Sequence, residues 1–129
     1  MRVVDLFCGC GGLSLGFEKA GMEVVAGFDN WQDALTVYRN NFSHPAFCAD
    51  LMDVEGSVEK IRPFAPDMII GGPPCQDFSS AGKRDENNGR GDLTVCYAHI
   101  IASIRPQWFV MENVERITKT QKLQDALAI

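Results

Sequence analysis

A chain of 129 residues carrying 46% hydrophobic side chains is the size of one domain and has enough apolar material for a packed core. Its net charge of −5 argues against a free-standing basic nucleic-acid binder, so any positive surface is local or lies on something else. Five cysteines, an odd number at spacings that suggest no framework, fit a reducing compartment better than disulfides.

Cys8 and Cys10 form a C-x-C pair, but the second pair or His cluster that a zinc site needs is missing, and no metal is expected. His44 and His99 are isolated and read as ordinary surface or packing residues. There is no run of 18 apolar residues and no basic-then-apolar leader, so no membrane partner is expected and a soluble, intracellular protein is.

Residues 3–7, Val3-Val4-Asp5-Leu6-Phe7, read as a buried strand, followed at once by the glycine-rich turn Cys8-Gly9-Cys10-Gly11-Gly12. Leu13, Phe17 and Ala20 then share one helical face, with Gly21 where a helix ends. Residues 22–28 make a second strand ending in Asp29-Asn30. A second helix carries Trp31, Leu35 and Tyr38 on one side, with Ala34 alongside. Residues 46–49 form a short third strand ending in Asp50, and residues 55–62 a brief polar helix closed by Pro63 and Pro66.

Met68-Ile69-Ile70 is a fourth strand that stops abruptly at Gly71-Gly72-Pro73-Pro74-Cys75-Gln76. Ser79 to Asp92 holds almost nothing apolar and reads as a solvated loop of a length that usually means function. Asp92 is placed to cap a helix starting at Leu93, with Tyr97, Ile100, Ile101 and Ile104 inward and Arg105-Pro106 as its stop. Trp108 to Met111 is a fifth strand tipped by Glu112-Asn113, and a polar helix runs from about Lys119 to the end.

Strand and helix alternate five times with connections too long for hairpins. The fold class is therefore α/β: a doubly wound, mostly parallel, Rossmann-like sheet with helices on both faces. Ligands of such sheets bind beyond the carboxyl ends of the strands. Here the glycine turn, Asp29, Asp50, Cys75 and Glu112 each follow a different strand.

A glycine turn with an acid 20 residues after Gly9 is the geometry of nucleoside binding, Asp29 accepting the ribose hydroxyls. The dinucleotide fingerprint fails, because Ser14 stands where it wants Gly or Ala, and no Walker lysine follows. A ligand with ribose and adenine but no pyrophosphate fits better, which points to S-adenosylmethionine. Asp50 would then accept from the adenine amino group, with Leu51 and Trp31 as apolar walls; the alternative is that both acids are strand-end caps. Two prolines fix two φ angles, so the Cys75 thiol leaves a stiff platform as a candidate nucleophile, a structural cysteine being the bland alternative.

Asp5-Leu6-Phe7-Cys8-Gly9-Cys10-Gly11-Gly12-Leu13, Gly72-Pro73-Pro74-Cys75-Gln76-Asp77-Phe78-Ser79, Arg90-Gly91-Asp92-Leu93 and Glu112-Asn113-Val114 resemble the DNA (cytosine-5)-methyltransferase family, in order and at family spacing. The resemblance covers nearly the whole chain. It implies an S-adenosylmethionine-dependent enzyme acting on double-stranded DNA. Phe7, Gly9, Gly11, Gly12, Leu13, Asp29, Asn30, Asp50, Leu51, Pro73 and Leu93 would surround the cofactor.

It also implies Cys75 as nucleophile and Glu112 as the acid that recognises the base, its pKa raised by burial at the end of an apolar strand. The cytosine must leave the duplex to reach Cys75. Ser79, Lys83, Arg84 and Arg90 of the long loop would meet DNA, the cations contacting phosphate, with a plain solvated loop as the competing reading. The resemblance stops after the fifth strand and one helix. The family's target-recognition part and closing motif have no counterpart here, so the chain is read as a fragment, or as one subunit whose partner chain supplies the rest.

Readings of other kinds stay open beside it. An RNA-directed relative shares the chemistry; a NAD(P)-dependent oxidoreductase shares the fold; a non-catalytic subunit would act only through a partner. Amino-directed DNA methyltransferases are disfavoured, because Gly72 and Cys75 replace the acceptor and aromatic residues of their Pro-Pro motif.

Overall fold

The computed structural model describes residues 1–74 and 92–129. Five strands, β1 (Arg2–Leu6), β2 (Glu23–Asp29), β3 (Ala46–Cys48), β4 (Met68–Gly71) and β5 (Trp108–Met111), alternate with α1 (Gly12–Lys19), α2 (Gln32–Asn41), α3 (Val54–Ile61), α4 (Leu93–Ile104) and α5 (Gln121–Leu127). The strands pair in the order β3-β2-β1-β4-β5, every pair parallel. From β1 the chain winds outward through β2 and β3, then returns to lay β4 on the other side of β1. The reversal of direction lies between β1 and β4, where doubly wound sheets open a crevice at their carboxyl ends.

Successive side chains of a strand point to opposite faces, and the sheet is covered on both. Val3, Val24, Met68 and Ile70 meet Leu13 and Phe17 of α1 on one face, beside a cluster of Cys8, Ala46 and α2 residues Leu35 and Tyr38. Val4, Leu6, Ala26, Phe28 and Ile69 meet Val58 and Ile61 of α3 and Tyr97 and Ile100 of α4 on the other. Leu6, Ile69 and Ile100 are completely buried, each burial contributing about 1.5–3 kcal/mol.

The β1–β2 register slips once: Val3 pairs with Val24, but Val4 pairs with Ala26. Val25 is the extra residue, and it packs on the same face as Ala26, as a bulge requires.

Side-chain caps fix several helix starts. Asp53 accepts from the Gly56 amide, and Asp92 accepts from the Thr94 amide at 2.9 Å, as the sequence predicts for α4. As expected, α3 ends just before Pro63, which has no N–H for the next helical hydrogen bond; the last α-helical residue is Ile61, and the chain tightens into a 3-10 turn over Arg62–Phe64. Two expectations need correction. α3 is less polar than expected, with Val58 and Ile61 buried. Trp31 does not share the buried face of α2; it precedes the helix in extended conformation and is 61% exposed.

The C-terminal segment begins earlier than expected, with a 3-10 turn over Glu115–Lys119, and α5 then runs from Gln121 under a Thr120 cap. Strand β5 is the sheet's outer strand beyond β4. Trp108 and Phe109 on it are 59% and 53% exposed, although both are large and apolar. Among the described residues no helix is long and apolar enough to cross a membrane.

Candidate active site

The glycine turn leaves β1 through backbone that only special residues adopt cheaply. Phe7 sits at φ 59°, Gly9 at 54° and Gly11 at 103°, all in the left-handed region. Gly11 is doubly constrained, because a Cβ there would run into the Phe42 ring and stand 2.9 Å from the Tyr38 ring. A Cβ on Gly12 would meet nothing within 4 Å, and the residue opens α1 with no side-chain cap.

Asp29 at the tip of β2 holds this turn. Its Oδ2 accepts from the Gly9 amide at 2.8 Å, and its Oδ1 accepts from the amides of Asn30 and Trp31 at 2.7 and 3.2 Å. The carboxylate thus already does the strand-end work that was the bland alternative to ribose binding, while remaining half-buried at the crevice. Asn30 beside it is exposed.

Asp50 is exposed at the end of β3 and also serves locally, accepting from the Met52 amide at 3.0 Å. Leu51, expected as a wall of the pocket, is 2% exposed and belongs to the core. Leu13 likewise packs into the sheet beside Val3 and Met68. Phe7 is half-buried against the core near Tyr97, and Leu93, half-buried, opens α4.

The other flank is built from β4 and β5. The Glu112 amide donates to the Gly71 carbonyl at 2.9 Å, continuing the ladder one residue past the strands. Asn113 Nδ2 donates to the Pro73 carbonyl at 2.8 Å, while its Oδ1 accepts from the Val114 amide. A Cβ on Gly72 would stand 3.0 Å from Glu112 Oε2, so the glycine leaves room for the carboxylate to lie against the backbone. Gly71 admits the Tyr97 ring in the same way, and Tyr97 Oη donates to the Val110 carbonyl at 2.8 Å.

Glu112, expected to be buried, is exposed at the end of β5, the outer strand of the sheet among the described residues. Pro73 is buried. Cys75, Ser79, Lys83, Arg84 and Arg90 lie outside the described residues.

Sequence reasoning missed Tyr97 and Asn113 as site-building residues. Asn113 was visible beside Glu112 but carried no chemistry of its own. Tyr97 looked like any apolar helix face, and only its hydroxyl hinted at a polar task.

Two buried thiols near the crevice are chemically quiet. Burial, reinforced by Asp5 and Asp29, pushes the Cys8 thiol far up, and burial with Asp92 and Asp50 raises the Cys96 thiol as well. Neither offers a thiolate near neutral pH. Burial also raises the Asp5 carboxyl to about 7, hydrogen bonds from Ser14 offsetting part of the effect.

Comparison with known proteins matches the whole chain, residues 1–129, to the family model described as C-5 cytosine-specific DNA methylase. The Type II methyltransferase M.HindV of Haemophilus influenzae is 61% identical over 98% of this chain, which spans 42% of that protein. M.HgiGI of Herpetosiphon aurantiacus, another Type II methyltransferase, is 52% identical and is itself covered completely. Among solved structures, a putative DNA modification methyltransferase from an Escherichia coli prophage superposes with a TM-score of 0.80 at 30% identity, over 99% of this chain and 37% of that one. Matched from its first residue to its last by the family model, this chain belongs to the C-5 cytosine-specific DNA methylases.

Proposed function

We propose that the chain is the cofactor-binding and catalytic part of a DNA cytosine-5 methyltransferase, with Cys75 as nucleophile and Glu112 as the acid that engages the target base. The observation that carries this reading is the joined tips of β4 and β5. The Glu112 amide bonds to the Gly71 carbonyl, Asn113 bonds to the Pro73 carbonyl, and the Glu112 carboxylate lies beside Gly72, three residues before Cys75 in the chain. A nucleophile that follows β4 in the chain and an acid that follows β5 suit a single flat ring lying between them.

The crevice fits S-adenosylmethionine by its donor set. Above Gly9 and Gly12 a Cβ would meet nothing, which leaves the backbone open to close approach. Phe7, Gly9, Gly11 and Gly12 would cradle the ligand, Asp29 or Asn30 would take the ribose, Asp50 the adenine amino group, and the exposed Trp31 ring an apolar face, with Leu93 beside them. Leu13, Leu51 and Pro73 would support these residues from beneath. When bound, the cofactor supplies an electrophilic methyl group for carbon 5 of cytosine.

The chain's own part is to make that carbon nucleophilic. The Cys75 thiolate bonds to ring position 6, and the displaced electron pair is drawn toward carbon 5 and nitrogen 3. Glu112, protonated when it meets nitrogen 3, offsets the developing charge, an effect of about 10²–10⁴-fold. Loss of the position-5 proton then expels Cys75 as thiolate and restores the ring. The base reaches Cys75 only when flipped out of the duplex. Ser79, Lys83, Arg84 and Arg90 would hold the flanking backbone.

The exposed apolar β5 supports a further lobe, in the same protein or a partner chain, that covers this strand and reads the target sequence. We place the complete enzyme inside the cell, with its DNA.

Covalent trapping on duplex DNA containing 5-fluorocytosine, with S-adenosylmethionine, tests the reading in a protein completed by such a lobe. The expected result is a denaturation-resistant adduct that vanishes in Cys75→Ser and forms more slowly in Glu112→Gln. Trapping of tRNA in preference to DNA, or methylation undiminished in Cys75→Ser, would overturn it.

A further inference from the structure

Behind the glycine turn, a line of polar groups runs from the centre of the sheet to the surface. Asp5 on β1 is completely buried, and its Oδ1 has no hydrogen-bond partner. Its Oδ2 lies 2.6 Å from Ser14 Oγ on α1, itself completely buried. Ser14 Oγ lies 2.8 Å from the Tyr38 hydroxyl on α2, and that hydroxyl lies 2.6 Å from His44 Nε2. His44 Nδ1 faces Glu18 Oε1 at 3.2 Å, where the line reaches solvent. The distances are those of strong, continuous hydrogen bonds.

The hydrogens on such a line cannot be placed independently. Ser14 and Tyr38 each own one hydroxyl proton and have a polar neighbour on both sides. Glu18 keeps the proton of His44 on Nδ1, leaving Nε2 to accept when the ring is neutral. Tyr38 then donates to Nε2, Ser14 donates to Tyr38, and Asp5 must be protonated to donate to Ser14. Reverse every bond and the opposite state appears. An ionised Asp5 accepts from Ser14, Ser14 accepts from Tyr38, and Tyr38 accepts from an Nε2–H, so His44 is an imidazolium paired with Glu18. The two states hold the same number of protons. They differ by one proton displaced along the line, with Asp5 and His44 both neutral in one and both charged in the other.

We infer that Asp5, Ser14, Tyr38 and His44 form a proton relay that ties the charge of the carboxyl beneath the glycine turn to that of an imidazole at the surface. A mixed state, such as an ionised Asp5 beside a neutral His44, sets two lone pairs or two hydrogens against each other at one link. Loss of a proton at Asp5 therefore favours gain of one at His44.

The surroundings of both ends favour the neutral state at rest. Asp5 faces Asp29 from β2, the Cys8 thiol from the turn, and the Tyr38 and Tyr97 phenols from α2 and α4, all acidic or neutral. Arg39 of α2 acts on Cys8 but is committed to the Ala46 carbonyl. Around His44 stand Glu18 of α1 and Tyr38 of α2, and Glu23 of β2 lines the same shallow surface cavity. Burial raises Asp5 and lowers His44, which agrees with the neutral pair.

A change at the surface that favours the imidazolium of His44 thereby draws the proton from Asp5 and changes the charge under Gly9 through some three side chains rather than through space. Asp5 lies four residues before Gly9, whose amide Asp29 holds. The relay gives the turn an electrostatic control that reaches the outside of the domain.

Nuclear magnetic resonance titration of the whole chain tests this, following the Asp5 side-chain carboxyl carbon and the His44 ring signals between pH 4 and 9. Because each mixed state carries a mismatched link, the expected wild-type result is that His44 takes up its proton well below the pH at which Asp5 gives up its own, with the neutral pair between the two steps. Tyr38→Phe frees Ser14 to donate to Asp5 and should lower the Asp5 step, and Ser14→Ala frees Tyr38 to accept from His44 and should raise the His44 step, each acting on a group it does not touch. Amide spectra taken alongside report whether each variant keeps the fold, and either variant decides the matter if the other does not. An Asp5 step indifferent to Tyr38→Phe, or a His44 step indifferent to Ser14→Ala, would overturn the relay.

Discussion

The two flanks of the crevice are built on the same sheet but finished differently. On the β1–β2 flank nearly every polar atom is tied down by the chain itself: Asp29 holds three amides, and Asp5, Ser14, Tyr38 and His44 are joined beneath the turn. On the β4–β5 flank the strand tips are locked in register by Glu112 and Asn113, yet Glu112 itself and the apolar residues of β5 face outward. One flank is preorganised by local packing alone. The other has its backbone positioned but its side chains uncovered, which suits an acid that must still meet a base from outside.

The contrast breaks most visibly at Asp5. Its carboxyl rises from 3.8 to about 7 in the fold, so the folded chain holds a proton that the unfolded chain releases between about pH 4 and 7. The stabilisation this proton linkage provides is complete below the unfolded pKa and is lost as pH rises through the folded one, by about 4 kcal/mol at most. Asp5→Asn should remove that slope, so the wild type should lose ground to the variant between pH 4 and 8 in urea unfolding. A constant difference across that range would mean the buried carboxyl is ionised throughout and this flank is not as closed as it looks.

Next in size is the pair Gly11→Ala and Gly12→Ala. The first meets the Phe42 and Tyr38 rings at a left-handed φ and should cost about 3 kcal/mol, whereas the second meets nothing and should stay within about 1 kcal/mol. Thermal unfolding of both variants gives the comparison directly.

Asn113→Ala should cost about 1 kcal/mol, the worth of its bond to Pro73, with a larger loss of trapping rate in a completed enzyme than of stability. Equal losses would make Asn113 a stability residue rather than one that sets the strand tips. Smallest of all, Phe109→Thr should change the stability of this chain by no more than about 0.5 kcal/mol, because the side chain is already 53% exposed. It should still reduce self-association, measured by light scattering.

Much of this arrangement could be read before any coordinates. The alternation of apolar runs and helical faces led to the parallel doubly wound sheet, and Gly, Asp or Pro after each strand marked the crevice end. Residues whose role depends on one strand end were legible: the glycine turn, the Asp92 cap, and the Gly-Gly-Pro-Pro exit from β4. Residues whose role depends on two distant elements were not. Tyr38 and His44 looked like a core aromatic and a surface histidine because Ser14 and Glu18, their partners, sit on another helix. Leu51 seemed a pocket wall because it adjoins Asp50, but the bend after β3 turns it inward. Glu112 was expected to be buried because it ends an apolar strand, and it is exposed.

The bulge at Val25 absorbs one residue of β2 without changing the face that its neighbours take. Val24 and Ala26 already lie on opposite faces and pair with consecutive residues of β1, so removing Val25 would join them in ordinary alternation, keep Phe28 against Val4 and Leu6, and leave the Asp29 carboxylate within reach of the Gly9 amide. A one-codon deletion there should therefore harm the nucleoside flank less than exchanging Asp29 itself, whose three amide bonds nothing else supplies.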